Sequence, residues 1–74
     1  MLVAAIIGKG VLKQYSQTVE IKAPVPAAVL PELMKLPEIY RENIIAVRDG
    51  RVLPPDELLN DGDEIILFLS VMGG

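Results

Sequence analysis

The chain opens on an unbroken apolar run, residues 2–7, closed by Gly8-Lys9-Gly10. Glycines on the far side of so short a run favour a strand over a piece of buried helix. The next stretch, residues 11–22, carries Val11, Tyr15, Thr18, Val19 and Ile21, and from Thr18 to Lys22 polar and apolar positions alternate as in a half-buried strand. The two read as a hairpin turning at Gly8-Lys9-Gly10. Pro24 and Pro26 close the second strand, and Pro26 suits a first helical position because the N–H it lacks would be unpaired there anyway. Val29, Leu30, Leu33, Met34 and Leu36 then recur at three- and four-residue spacing, one apolar face of a helix. Pro31 costs ~3 kcal/mol or more inside a helix, so the helix either kinks there or begins near residue 31. Pro37 ends it.

Residues 44–48 make a third strand, Asp49-Gly50 supports a two-residue hairpin turn, and Arg51-Val52-Leu53 makes a short fourth strand stopped by Pro54-Pro55. Asp56 to Leu59 reads as one helical turn and Asn60-Asp61-Gly62-Asp63 as a second turn signal. The last strand, Glu64 to Val71, is almost wholly apolar. Ile65, Leu67, Leu69 and Val71 share one face; Ile66, Phe68 and Ser70 share the other. Two hairpins flanking a helix, with the last strand inserted between the first and third, give an α+β fold: a mixed sheet of about five strands on one main helix.

Length sharpens this. Seventy-four residues allow one domain, taken as 1–71 with a flexible 72–74 tail, and such a core buries only about 60% of the unfolded chain's surface. There is no Cys, His or Trp, which removes disulfides, thiolate or imidazole metal sites and the usual catalytic triads. A self-contained enzyme is not expected. Seven basic and ten acidic side chains give a net charge of −3, with the basic ones scattered from Lys9 to Arg51, which argues against nucleic acid. The opening apolar run lacks a basic flank and is far shorter than the roughly 20 residues of a membrane span, so a cytoplasmic chain with no membrane association is expected.

Weaker candidates read as structure. Gly8-Lys9-Gly10 lacks the longer spacing and the Ser/Thr of a phosphate loop. Asp56, Glu57, Asp61, Asp63 and Glu64 lack the calcium-loop pattern and read as solvated turns or as contacts for basic partner residues. Ser16, Thr18 and Ser70 have no base to activate them. The lysines are solubilising. The C-terminus is different, because a strong strand hands over directly to Gly73-Gly74. Glycines can lie in a groove too narrow for a Cβ, and Ser70 to Gly74 fully extended would reach ~16–18 Å.

The element order, with Asp61-Gly62-Asp63-Glu64-Ile65 opening the last strand and Phe68-Leu69-Ser70-Val71-Met72-Gly73-Gly74 closing the chain, resembles the ubiquitin-like β-grasp sulfur carriers, which include the small subunit of molybdopterin synthase and the thiamine-pathway carrier. That resemblance implies a carrier, or the non-catalytic small subunit of a sulfurtransferase complex. By the same resemblance it would bind no cofactor itself. A ubiquitin-activating-type adenylyltransferase would use ATP and magnesium to convert the Gly74 carboxylate into an acyl adenylate, and a persulfide would displace AMP to leave a thiocarboxylate. Gly73 and Met72 would form the inserting tail. Phe68, at the matching distance from the terminal glycine, would dock the adenylyltransferase and the large synthase subunit or thiazole synthase, with Ile66, Ser70 and Val71 beside it. Ser70 stands where the molybdopterin branch often has proline, and Met72 where the thiamine branch often has glycine, which leaves the pathway open. A ubiquitin-like protein modifier joined to lysines through the same glycine is the alternative, as is a plain β-grasp interaction domain.

Overall fold

The computed structural model describes residues 1–70. Its strands are β1 (Leu2–Gly8), β2 (Gln17–Ile21), β3 (Ile44–Arg48), β4 (Arg51–Val52) and β5 (Glu64–Leu69), in the sheet order β2-β1-β5-β3-β4. β5 is parallel to β1 and antiparallel to β3; the other pairs are antiparallel. This is the β-grasp arrangement, with the last strand inserted between the first and third. The expected end of β5 at Val71, and with it the domain boundary, lies outside the described residues.

Strand alternation sets the core. Ala4 and Ile6 of β1, Val19 and Ile21 of β2, and Ile65 and Leu67 of β5 are buried on one face, under Leu12, Leu30, Met34, Leu36 and Leu59. Burying each of the larger side chains stabilises the fold by roughly 1.5–3 kcal/mol. No polar or charged residue is buried among the described residues.

Three local expectations need correction. First, the β1–β2 connection is not a tight turn at Gly8-Lys9-Gly10. Gly8 ends β1 and the chain continues as a 3₁₀ helix, Gly10–Tyr15, whose Leu12 is fully buried. An apolar residue in the middle of the connection draws it over the core. Gly8 permits this, since a Cβ there would collide with the Leu12 carbonyl. The Gly8 N–H donates to Ser16 Oγ at 2.9 Å, and the Lys9 N–H donates to the Leu67 carbonyl at 2.9 Å.

Second, there is no single main helix. The segment breaks into a 3₁₀ turn (Ala27–Val29), α1 (Leu30–Leu33) and α2 (Glu38–Arg41). Pro31 sits in the first turn of α1, so the helix does begin near residue 31. Lys35 takes a left-handed φ of 55°, and Pro37 supplies the N-cap position of α2 rather than only ending the preceding helix. Tyr40 on α2 meets Tyr15 edge-on with centroids 6.0 Å apart.

Third, residues 56–59 are a turn and a bridge, not a helical turn. Leu58 forms an antiparallel bridge with Pro26, the Leu59 N–H donates to the Val25 carbonyl, and the Ala27 and Ala28 N–H groups donate to the Glu57 and Pro55 carbonyls. Those backbone groups had partners across the molecule better placed than any within one helical turn. Asp49-Gly50 does form the expected turn, both residues having positive φ.

Gly8→Ala is expected to destabilise the fold by about 3 kcal/mol. Gly10→Ala, at φ +59° but in open space, should cost only about 1 kcal/mol. Urea midpoints of the two variants test this, and equal costs would remove the close approach to Leu12 as the reason for a glycine at position 8.

Candidate functional site

β5 carries the candidate residues because it is central and two-faced. Ile65 and Leu67 are fully buried beneath the sheet, so the strand's period of two turns Glu64, Ile66 and Phe68 to the opposite face. Phe68 is 42% exposed there, and Ile66 is half-buried. The register shows what surrounds them. Ile45 stands opposite Phe68, Val47 and Ile7 flank Ile66 on its two sides, and Val52 stands opposite Val47. Sequence reading missed Ile7, Ile45, Val47 and Val52. Ile7, Ile45 and Val47 lie in unbroken apolar runs and Val52 in a very short strand, so no local pattern marked an outward face there; the register decides it.

The apolar stripe has an acidic border. Glu64 stands opposite Ala5, and Glu20 opposite Val3, on this same face. Asp61 caps the adjoining corner, its Oδ1 accepting the Val3 N–H at 2.8 Å. At the other end of β5 the Ser70 N–H donates to the Asn43 carbonyl, so the chain is still held against the residue before β3 as it leaves the sheet. Val71, Met72, Gly73 and Gly74 lie outside the described residues. Of the seven candidate residues, the structure therefore brings together Phe68, Ile66 and, at the strand's exit, Ser70.

Not all of the acidic turn residues are simply solvated. Arg48 points to the core side of the sheet, where Nη1 donates to Asp63 Oδ2 at 2.8 Å and to the Leu58 carbonyl at 2.9 Å, and Nη2 donates to Glu57 Oε2 at 3.0 Å. Asp63 also accepts the Asn60 N–H at 2.7 Å. One guanidinium thus gathers the loop that leads into β5. The hydrogen bond Arg48 donates to Asp63, ahead of the charges of Asp63 and Glu57, holds the Arg48 pKa above the ordinary guanidinium value. A raised pKa in the folded state contributes stability that is complete below the unfolded value and is lost only at extreme alkaline pH.

Among the described residues no three His, Cys, Asp or Glu side chains are grouped to hold a metal ion, and no helix is long and apolar enough to cross a membrane. What this region offers is an apolar face beside the strand that leads toward the C-terminus. The sequence pattern of the ThiS family matches residues 11–74, which is most of the chain.

The chain belongs to the ThiS family.

Members of that family are small carriers rather than catalysts and work with an adenylyltransferase related to ubiquitin-activating enzymes. No curated protein sequence matches this chain. Among solved structures, small archaeal modifier protein 1 of H. volcanii superposes with a TM-score of 0.76 at 15% identity, over 96% of this chain and 100% of that one. "Putative molybdopterin converting factor, subunit 1" from Pyrococcus furiosus superposes with a TM-score of 0.76 at 20% identity, with the same coverage. Both likenesses show the ubiquitin-like β-grasp fold.

The two faces of β5 should separate on mutation. Leu67→Ala is expected to cost about 2–5 kcal/mol and Phe68→Ala less than about 1 kcal/mol, as read by thermal or urea unfolding. Equal losses would place Phe68 in the core. Arg48→Met should cost about 1–2 kcal/mol, since the Glu57 partner is half exposed and solvent screens it. That difference should be the same at pH 7 and pH 10; a difference that fades over this interval would contradict the raised Arg48 pKa.

Proposed function

We propose that this chain is a sulfur carrier whose Gly74 carboxylate is activated and converted to a thiocarboxylate for cofactor biosynthesis. The observation that carries the reading is the family match, which extends to Gly74. The fold supports it, because the β5 face bearing Phe68 and Ile66 adjoins the strand that leads to that residue.

The chemistry follows from what a carboxylate lacks. It is a poor electrophile, so the adenylyltransferase, using its own ATP and magnesium, transfers AMP to the Gly74 carboxylate and releases pyrophosphate. The developing charge at the carbonyl is stabilised by groups of that partner. The terminal sulfur of a persulfide then attacks the acyl carbon and AMP leaves. A thiol reductant cleaves the resulting S–S bond, which frees the thiocarboxylate. This chain supplies the carboxyl, the Met72-Gly73 segment that enters the partner's site, and the docking face. With no Cys or His anywhere, it offers no thiol or imidazole to intercept the activated acyl group.

Phe68 and Ile66 anchor the docking, with Ser70 at the strand's exit and Val71 following it in sequence. The large subunit of molybdopterin synthase or thiazole synthase would use the same face when the sulfur is delivered. Docking through one apolar face makes activation and delivery sequential, since both partners compete for it.

The likeness to small archaeal modifier protein 1 supports a second reading, a protein modifier joined to lysines through Gly74. Both readings share the adenylate and part only at the nucleophile that attacks it.

Incubation with the adenylyltransferase, ATP, magnesium and a persulfide donor should exchange one oxygen for sulfur at the C-terminus, seen in the intact mass. Removal of Gly74 should abolish the exchange at unchanged thermal stability, and Phe68→Ala should weaken adenylyltransferase binding by about tenfold or more. An unmodified mass with a demonstrably active enzyme would refute the carrier reading. Recovery of Gly74 in isopeptide linkage to lysines of cellular proteins would favour the modifier instead.

A further inference from the structure

β3 is longer than the strand beside it. β4 pairs only with Val47 and Arg48, and the last backbone bond on that side runs from the Leu53 N–H to the Ala46 carbonyl at 2.7 Å. Pro54 and Pro55 then take the chain away. Alternation along β3 turns the Ile44 N–H and carbonyl to the same side as those of Ala46. Asn43, by the same alternation, faces β5, as its bond from the Ser70 N–H shows. Among the described residues no backbone bond continues the ladder at Ile44, so the sheet has a short open edge there.

That edge lies in a groove of about 420 Å³ between β3 and the helical segments, walled by Ala28, Leu30, Pro31, Ala46 and Leu53. The volume falls within the roughly 300–1,000 Å³ of ligand-binding clefts. Among the described residues only one charged side chain lines it, Arg41. The Arg41 Nε donates to the Leu36 carbonyl at 2.8 Å, which fixes the plane of the guanidinium. Among the described residues Arg41 forms no ion pair; the salt bridges there all belong to Arg48. Its two terminal nitrogens are therefore a prearranged fork with no carboxylate on it.

An apolar trough, an unpaired strand edge and a single oriented cation together specify an occupant. We propose that this groove binds an extended segment of a partner protein in which apolar residues neighbour an aspartate or glutamate. Two or three residues, at about 3.3 Å each, pair with β3 at Ile44 as an added strand and set the carboxylate on Arg41. Ile45 and Val52 also line the groove, so it borders the Phe68 face at the sheet edge; it does not depend on the carrier reading, since nothing in it involves Gly74.

The test uses the full chain, ¹⁵N-labelled, titrated with acetyl-Val-Ile-Glu-Val-amide and with the same peptide carrying glutamine for glutamate. The Ile44 and Ala46 amide signals should shift, hydrogen exchange at the Ile44 amide should slow, and the glutamate peptide should bind about tenfold more tightly. Arg41→Gln should erase that preference. Ala28→Phe, which fills the groove from an exposed position, should abolish binding of both peptides while the protein stays folded. The proposal falls if the shifts are confined to Ile7, Ile66 and Phe68 or are absent at millimolar peptide, or if the preference survives in Arg41→Gln. It also falls if octanoate reproduces the shifts without slowing Ile44 exchange, which would mark a small-acid site. Concentration-dependent shifts of the same amides without peptide would assign the edge to a second copy of the chain and overturn it equally.

Discussion

The placement of β5 between β1 and β3 governs the rest of the molecule. The strand is held along both edges, parallel on one side and antiparallel on the other, while Ile65 and Leu67 are sealed against the core. A strand fixed in this way has one register, because a slip of one residue would drive Ile65 and Leu67 to the open face and Ile66 and Phe68 inward. Register, face and point of exit are thereby settled together. The exposure of Phe68 and the departure of the chain beside Asn43 both follow from this one constraint.

Around that strand, the small core is completed by irregular segments more than by regular ones. Leu12 reaches it from a 3₁₀ connection, Leu30, Met34 and Leu36 from a broken helical stretch, and Leu59 from a loop. Irregular backbone needs other partners for its polar groups. Here they are supplied by cross-chain bonds between residues 25–28 and 55–59 and by the Arg48 guanidinium, which holds Asp63, Glu57 and the Leu58 carbonyl. The same economy leaves β4 two residues long, and among the described residues the β3 edge beyond it is open. The molecule therefore presents two adjoining surfaces that share Ile45 and Val52: the sheet face around Phe68, and the groove beside Ile44.

Much of this was legible in the chain. The five strands, the Asp49-Gly50 turn and the inside-outside alternation of β5 follow from period-two patterning and from glycine and proline positions. The start of α1 near Pro31 follows from the proline ring's demands at a first helical turn. The long helix did not form although its apolar spacing suited one, because Lys35 and Pro37 divide the segment and its two halves pack separately. Arg48 gave no local sign of its role. Its partners lie nine and fifteen residues away, and only folding brings them within 3 Å.

By itself the sequence determined the fold class, the two faces of the last strand and the family, since these rest on local periodicity and on motif. It also determined which chemistry the chain cannot perform, because a side chain that is absent cannot be supplied by folding. Only the tertiary structure decided which outward residues lie together: Phe68 beside Ile45, and Ile66 between Ile7 and Val47. It alone showed that Gly8 makes room for the Leu12 carbonyl and that, among the described residues, Arg41 stands without a carboxylate at an open strand edge. Contacts between distant residues depend on strand order and register. Those are set by how the apolar faces pack as a whole, and no local window of the sequence contains that packing.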